Sequence, residues 1–302
     1  MKRIVSLLLV LILALSVFVG CGAKEKDYSL SIGVVVTETL ASSKVTQTVA
    51  SIVTDADGKI VVCRLDCVDY SAYNKKGEMV TTAPTSKVAL GENYGSMPAG
   101  TWSVQGAALE AYVVGMTQAE VAAIALDGGK VTDADLKAKC SINVVDLLKA
   151  IDNAFKSEHK ISFKSTATEF TAGLSAVSSV KVTEGDTTSV KVSTTYSAAV
   201  LADGVVVAAI LDTAEPELVN VTNEGSASLT YKGTKREQGA AYDAYKPMAA
   251  GTWYVQADVY TATAVGKSAS DIATLATEGV AGCTITVTTY KAGIEAAVKA
   301  AR

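Results

Sequence analysis

Few residues of this chain could do acid–base or nucleophilic chemistry. Its 302 residues contain a single histidine, His159, which lies in a polar stretch between two more apolar regions. A serine or cysteine nucleophile needs a base beside it, most often histidine. The carboxylates are scattered, and no spacing pairs two of them for acid–base work. These features argue against hydrolase or transferase chemistry and indicate that the chain is not an enzyme by itself.

The cysteines do not form a metal-binding pattern. Four of the five lie beyond the N-terminal segment, at Cys63, Cys67, Cys140 and Cys283, with no CxxC pair and no second histidine. A zinc site is therefore not predicted. Cys63 and Cys67 lie too far apart along one extended strand to bridge each other. We expect these four cysteines to be free thiols and predict no metal ligands.

The only two tryptophans occupy equivalent places in a repeated segment. Trp102 ends Met97-Pro98-Ala99-Gly100-Thr101-Trp102, and Trp253 ends Met248-Ala249-Ala250-Gly251-Thr252-Trp253. One interpretation makes each ring a stacking surface for an aromatic ligand, so that Trp253 would be a cofactor-binding residue. The other makes each ring an anchor that fixes a helix on a sheet, as suits a large and mostly buried side chain.

The most informative stretch is Glu278-Gly279-Val280-Ala281-Gly282-Cys283-Thr284, which precedes a helical pattern. It resembles the C-terminal motif of bacterial FMN-binding domains, which reads Asp-Gly-x-Ser-Gly-Ala-Thr before an amphipathic helix. In that family a separate flavin transferase joins FMN to the threonine through a phosphoester. The resemblance implies that Thr284 is the attachment residue, with Gly282 and Cys283 beside it, and that FMN, the transferase and redox partners are its ligand and partners.

Three positions depart from that motif: glutamate replaces aspartate at 278, alanine replaces serine at 281, and cysteine replaces alanine at 283. In the first half the corresponding stretch ends in Lys139-Cys140-Ser141, which makes Ser141 the counterpart of Thr284. Glycine suits a backbone that must approach a ligand closely, so Lys139 argues against covalent flavin at Ser141, although non-covalent binding there stays open. The alternative interpretation makes Cys140 and Cys283 equivalent small core residues at a strand edge.

The elements that must position these residues occur twice. Gly58 and Gly204 lie 146 residues apart, as do Asp66 and Asp212, and matching residues recur at that offset through a hairpin pattern. Identity at a constant long offset indicates domain duplication. We predict a first FMN-binding-like repeat at 31–157, a linker at 158–176 and a second repeat at 177–302.

Each repeat is predicted to contain three strands, a polar loop, an interrupted helix and a terminal helix. The turn Asp55-Ala56-Asp57-Gly58 between β-branched runs is a hairpin signature. Thr117-Gln118-Ala119-Glu120 and Ser268-Ala269-Ser270-Asp271 have the spacing of a capping box. Mixed strands and helices without βαβ alternation indicate an α+β fold, in which each copy is a mostly antiparallel sheet with helices packed on one side.

The N-terminus is typical of an exported lipoprotein. A basic start, an apolar run and Gly20-Cys21 predict a lipoprotein signal peptide at 1–20, a lipid on Cys21 and a tether at 21–30. An ordinary cleaved signal, with Cys21 incidental, is the alternative. Lipidation would hold the protein on the extracytoplasmic face of the cell membrane.

Two functions follow from these patterns. The first is a surface-anchored flavin carrier in cell-envelope electron transfer, in which the flavin does the redox chemistry. The second is a non-redox surface lipoprotein that binds a small molecule, a wall component or a protein. With a formal net charge of −4 and no basic cluster, nucleic acid is not an expected partner.

Overall fold

The structure, a computed structural model, describes residues 24–243 and 248–302. Over these residues the fold is α+β, as predicted, with two large antiparallel sheets and helices packed on them. The predicted signal peptide and the lipidation residue Cys21 lie outside the described residues. Among the helices in the two described ranges, none has the length and apolar character needed to cross a bilayer.

The first sheet is built from a meander of three long strands and one late strand. Strands β1 (Lys26–Thr39), β2 (Lys44–Asp55) and β3 (Ile60–Ser71) pair antiparallel in sequence order. The predicted turn between β2 and β3 forms, because the Asp55 carboxylate accepts from the backbone N–H groups of Asp57 and Lys59. Two short hairpins accompany this half; they are β4 (Ser96–Met97) with β5 (Gly100–Thr101), and β6 (Leu126–Asp127) with β7 (Lys130–Val131).

The late strand of the first sheet is β8 (Ile161–Ser165), which pairs with the free edge of β1. Its presence differs from the predicted linker at 158–176. The alternation of Ile161 and Phe163 with polar neighbours is a strand pattern, and Phe163 stacks on Tyr28 with ring centroids 5.5 Å apart. The predicted tether is also too long, because β1 begins at Lys26 and buries Tyr28.

The second sheet repeats the three-strand meander and extends it. Strand β10 pairs with β9 along one edge. Along its other edge, its first residues pair with β12 and the rest pair with β11. Strand β13 pairs with β12 as a short hairpin. The bounds are β9 (Thr171–Thr183), β10 (Ser189–Ala202), β11 (Val205–Ala214), β12 (Glu217–Thr222) and β13 (Gly225–Thr230).

The two sheets pack face to face, with helices on their outer faces. Along β1, Leu30 and Val34 face the second sheet and share one apolar core with its residues Tyr196 and Ile210. Val35 faces the other way, into a core shared with the helices of the first half. This alternation follows from the two-residue period of a strand and gives a helix–sheet–sheet–helix order of layers.

Helices follow the strands in both halves of the described chain. After β3 come α1 (Lys87–Leu90), α2 (Trp102–Tyr112), α3 (Gln118–Ala122), α4 (Ala134–Lys137) and α5 (Val145–Lys156). After β13 come α6 (Lys235–Gln238), α7 (Ala240–Asp243), α8 (Trp253–Ala262) and α9 (Thr288–Lys299). The predicted capping box at Thr117 and Glu120 forms at the start of α3.

The second predicted capping box is wrong. The Ser268 hydroxyl donates to the Asp271 side chain 2.6 Å away, and a 3₁₀ turn, Ile272–Thr274, follows in place of an α-helix. Aspartate is one methylene shorter than the glutamate that completes the box around Thr117. Its carboxylate accepts from the hydroxyl and from the backbone N–H of Ser268. The Asp271 backbone N–H donates to the Ser268 carbonyl at 3.0 Å, whereas that of Glu120 donates to the Thr117 hydroxyl.

The terminal helices lie close against their sheets. A Cβ on Gly33 in β1 would overlap the backbone of Ala150 and Ala154 in α5, and a Cβ on Gly173 in β9 would overlap the Ala297 carbonyl in α9. Only glycine allows such backbone contact between helix and sheet. These two contacts fix where α5 and α9 lie on their sheets.

Candidate functional site

The predicted attachment segment forms the wall of an open cleft, called the Thr284 cleft. Its lining consists of Thr277, Glu278, Gly279, Val280, Cys283, Thr284, Ile285, Thr286, Val287 and Thr288, and its volume is about 310 Å³. Thr284 is exposed in it, and Cys283 is half-buried beside it. The cleft lies between the loop that carries the motif and the first residue of α9. The structure therefore brings Cys283 and Thr284 together at a helix start.

The Thr284 hydroxyl is held from beneath by Gln256 in α8. The backbone N–H of Thr284 donates to Gln256 Oε1 at 2.7 Å, and its hydroxyl donates to the same oxygen at 2.9 Å. Gln256 Nε2 donates in turn to the Gly251 carbonyl at 2.8 Å. Gln256 is fully buried. One buried amide thus ties the end of the motif to the start of α8.

Gly282 lies next to the cleft for a backbone reason. Its φ is +79°, a conformation that side chains other than glycine rarely adopt. A Cβ there would meet Val259 at 3.6 Å, which is ordinary van der Waals contact. Glycine was predicted at this position because a ligand needs empty space beside the backbone. The structure gives a different reason, which is the positive φ. Lys139 in the first half is exposed and has no positive φ, so the two loops differ in backbone shape.

Ser141 in the first half is held in the same way as Thr284. Its backbone N–H and its hydroxyl donate to Gln105 Oε1 at 2.7 and 3.0 Å. Gln105 Nε2 donates to the Gly100 carbonyl at 2.9 Å. The predicted correspondence of Ser141 and Thr284 thus extends to a shared set of three hydrogen bonds.

The two sites differ at the start of the adjoining helix. In the first half Asn143 Oδ1 accepts from the backbone N–H of Val145 at 3.0 Å, at the start of α5. In the second half α9 begins after Val287, and within the described residues no side chain caps it. The first backbone N–H groups of a helix have no partner inside the helix and carry partial positive charge. Those of α9 remain available beside Thr284.

Trp253 is separate from the cleft and belongs to the core. Trp102 is 5% and Trp253 is 2% exposed. The Trp253 indole donates to the Tyr290 hydroxyl at 3.0 Å and packs edge-on against that ring. This geometry supports the anchoring interpretation of both tryptophans, because a buried ring presents no face to a cofactor.

Each tryptophan belongs to a charged aromatic cluster that sequence reasoning missed. Lys235 Nζ lies 5.4 Å from the Trp253 ring centroid and 4.8 Å from that of Tyr242, and it pairs with Glu215 at 3.3 Å. Burial opposes the charged form of Lys235, but Glu215 and Tyr290 outweigh it and raise its pKa. The amine stays protonated and does not act as a nucleophile.

The first half has the same cluster. Lys87 Nζ lies 5.7 Å from the Trp102 ring centroid and 4.9 Å from that of Tyr94, and it pairs with Asp69 at 3.2 Å. The sequence signal was present: Ser86-Lys87, Gly91 and Tyr94 recur as Thr234-Lys235, Gly239 and Tyr242 at an offset of 148. The predictions described this segment only as a polar loop.

Two buried carboxylates with raised pKa values serve as links between helix and strand. Burial raises the pKa of Asp66 and of Asp212 to about 6 in each case, against the hydrogen bonds that these carboxylates accept. Each ties the start of α1 or α6 to the preceding strand, since Asp66 accepts from Val88 N–H and Asp212 from Arg236 N–H. His159 stacks on Tyr254 at 4.0 Å. Within the two described ranges, no group of three or more potential ligands could hold a metal ion.

The predicted free thiols agree with the structure. Cys63, Cys67 and Cys140 are buried in the helix–sheet core of the first half, and none is bonded to another cysteine. Burial raises the pKa of the Cys67 thiol to about 11, so this cysteine stays protonated and unreactive.

Compared with protein-family models, with curated proteins and with solved structures, the chain matches none of them. The resemblance to FMN-binding domains therefore depends on the motif that ends at Thr284 and on the order of elements around it.

Proposed function

We propose that this chain is an exported, lipid-anchored flavin carrier made of two copies of one FMN-binding-like domain. In this proposal the second copy carries an FMN-derived group on the Thr284 hydroxyl through a phosphoester. The flavin would supply the redox chemistry, in electron transfer at the outer face of the cell membrane. The residues of the chain would attach it and hold its phosphate.

Equivalent contacts support the proposal of two copies. Lys87 and Lys235 form the same pairings with an acid, a tyrosine and a tryptophan. Gln105 and Gln256 form the same three hydrogen bonds. Such matched long-range contacts are expected when one domain has been duplicated, because each depends on residues far apart in the sequence.

The observation that carries the flavin proposal is the placement of the Thr284 hydroxyl. It is exposed in an open cleft, supported by a buried amide, beside the start of a 12-residue helix that no side chain of the described ranges caps. Backbone N–H groups at a helix start favour a phosphate group. A phosphoester on Thr284 would bring a phosphate to that place. Among the described residues, this donor set fits the phosphate end of FMN.

The same reasoning gives one flavin per chain. At Ser141 the hydroxyl has equal support, but Asn143 already accepts from the first amide of the adjoining helix. Lys139 also replaces the glycine that gives the second loop its shape. We therefore expect Thr284, and not Ser141, to be modified.

The test is the intact mass of the protein after co-expression with a flavin transferase. One added FMN-derived group, lost in Thr284→Ala and kept in the matched control Ser141→Ala, is the expected result. An unmodified mass for the wild-type protein, with active transferase shown on another substrate, would remove the covalent carrier proposal. Titration with free FMN then tests non-covalent binding.

A second function is favoured by the charge of the cleft. Among the described residues that line it, Glu278 is the one charged side chain, and none is cationic. A cleft of this kind suits a neutral small molecule or a wall component on a non-redox surface lipoprotein. A colourless protein that does not bind FMN would favour this alternative.

A further inference from the structure

We propose that Gln256 is the residue that positions the Thr284 hydroxyl for attachment of the flavin phosphate. This inference rests on the proposed function, and it assigns a role to a residue outside the motif. Gln256 lies 28 residues before Thr284 and reaches it only through the fold.

The orientation of the Gln256 amide is fixed by its partners. The Gly251 carbonyl can only accept a hydrogen bond, and the Thr284 backbone N–H can only donate one. The amide must therefore direct Nε2 to Gly251 and Oε1 to Thr284, at 2.8 and 2.7 Å. A flipped amide would lose both bonds in a buried place. The acceptor oxygen is thus held toward Thr284.

This orientation sets the direction of the threonine hydroxyl. The hydroxyl hydrogen points to Gln256 Oε1 at 2.9 Å, below the surface. The lone pairs of Thr284 Oγ1 are consequently directed away from Gln256, and Thr284 as a residue is exposed. A hydroxyl attacks phosphorus through a lone pair, so the oxygen is oriented before the flavin donor arrives.

The attachment step needs an activated flavin, of the class in which the FMN phosphate is joined to a second phosphate. Thr284 Oγ1 forms the new bond to phosphorus, and the bond to the second phosphate breaks, so that a nucleoside monophosphate leaves with the electron pair. As the new bond forms, the hydroxyl proton leaves its hydrogen bond with Gln256 Oε1 and passes to a base of the transferase or to water. A neutral amide is too weak a base to take it, so Gln256 positions the oxygen and does not act as a catalytic residue.

The support beneath Gln256 explains the repeated Gly-Thr-Trp-x-Val-Gln segment. Trp253 lies one turn before Gln256 and is held in the core by Tyr290 of α9. Gly251 supplies the carbonyl that holds Nε2. The segment therefore fixes α8 by its tryptophan and the motif by its glutamine.

The test measures the rate of flavin attachment in single-turnover reactions with transferase and flavin dinucleotide. Gln256→Met keeps the length of the side chain but removes the acceptor. We expect attachment to slow at least about tenfold, the effect of losing hydrogen bonds that hold the reacting group. The matched control is Gln105→Met, which removes the same contacts at Ser141 and should leave the rate unchanged.

Gln256→Glu tests whether the hydrogen bonds of the amide are what the attachment step needs. Burial raises the pKa of a carboxyl group, and a protonated glutamic acid can both accept from Thr284 and donate to Gly251. The ratio of its attachment rate to the wild-type rate at the same pH should approach one at low pH and fall as pH rises. Amide hydrogen exchange at Thr284 gives a second readout, and it should quicken in Gln256→Met without any transferase.

The outcomes separate the two proposals. If the wild-type protein is modified on Thr284 and Gln256→Met is modified at the same rate, the positioning role is overturned and the carrier function stands. If the wild-type protein is never modified, the carrier function fails and the positioning role fails with it. Unchanged amide exchange at Thr284 in folded Gln256→Met would also overturn the positioning role.

Discussion

Replacement of Trp253 tests whether the repeated tryptophan is a structural anchor. Trp253→Ala removes a ring that is 2% exposed and packs against Tyr242 and Tyr290. Truncation of a buried tryptophan costs about 3–5 kcal/mol, through lost burial and the cavity that remains. The Tyr290 hydroxyl also loses its donor, and Lys235 loses an aromatic face at 5.4 Å. We expect a loss of stability in the upper part of that range.

Trp253→Phe separates the ring from its hydrogen bond. Phenylalanine keeps much of the apolar contact but has no donor for Tyr290, so we expect a cost of about 1–2 kcal/mol from the missing bond and the smaller ring. Trp102→Ala is the matched change in the first half, where the ring is 5% exposed. It should destabilise by a similar amount.

The assay is urea unfolding followed by far-ultraviolet circular dichroism, analysed for each variant by linear extrapolation. Each tryptophan variant retains the other tryptophan, whose fluorescence reports unfolding of the other half. A urea midpoint for Trp253→Ala close to that of wild type would refute the anchoring interpretation, since a ring that contributes so little to stability cannot be packed as the structure shows. That result would restore the stacking interpretation of Trp253.

Two further predictions concern pH and the membrane. The folded pKa of Asp212, about 6, lies above its ordinary value of 3.8, so ionisation costs stability as pH rises from about 4 to about 6. Asp212→Asn lacks that cost, and its stability relative to wild type should improve over this window by about 3 kcal/mol. Urea unfolding of both proteins at pH 4, 5, 6 and 7 measures how this difference in unfolding free energy changes with pH. A difference that does not depend on pH would contradict the raised pKa. Cys21→Ser should release the protein from the membrane fraction of its host, because the predicted lipid would have no attachment point. A variant that stays membrane-bound would indicate an uncleaved N-terminal anchor.

Local sequence patterns predicted much of the fold. The hairpin turn at Asp55 to Gly58 forms because turn residues and β-branched runs are local signals that tertiary contacts rarely override. The capping box at Thr117 follows from a similarly local signal. The offset of 146 predicted two copies of one domain, and that duplication stays a prediction.

The sequence did not reveal that two segments outside the predicted repeats become strands of the first sheet. Strand β8 was predicted as part of a linker because the stretch around it is polar and rich in serine and threonine. It becomes a strand only because β1 offers it a free edge. The segment 26–30 was predicted as a tether. Its apolar residues find a place only between the two sheets.

The tertiary structure decided which residues surround Thr284. From sequence, Gln256 had no visible relation to Thr284, and Trp253 stood as a possible ligand contact. Folding buries the face of α8 that carries both residues, because positions three apart lie on one side of a helix. Trp253 packs in the core, and Gln256 reaches Thr284. The difference between the halves is equally a matter of packing. Asn143 reaches the start of α5, whereas the start of α9 stays uncapped beside Thr284.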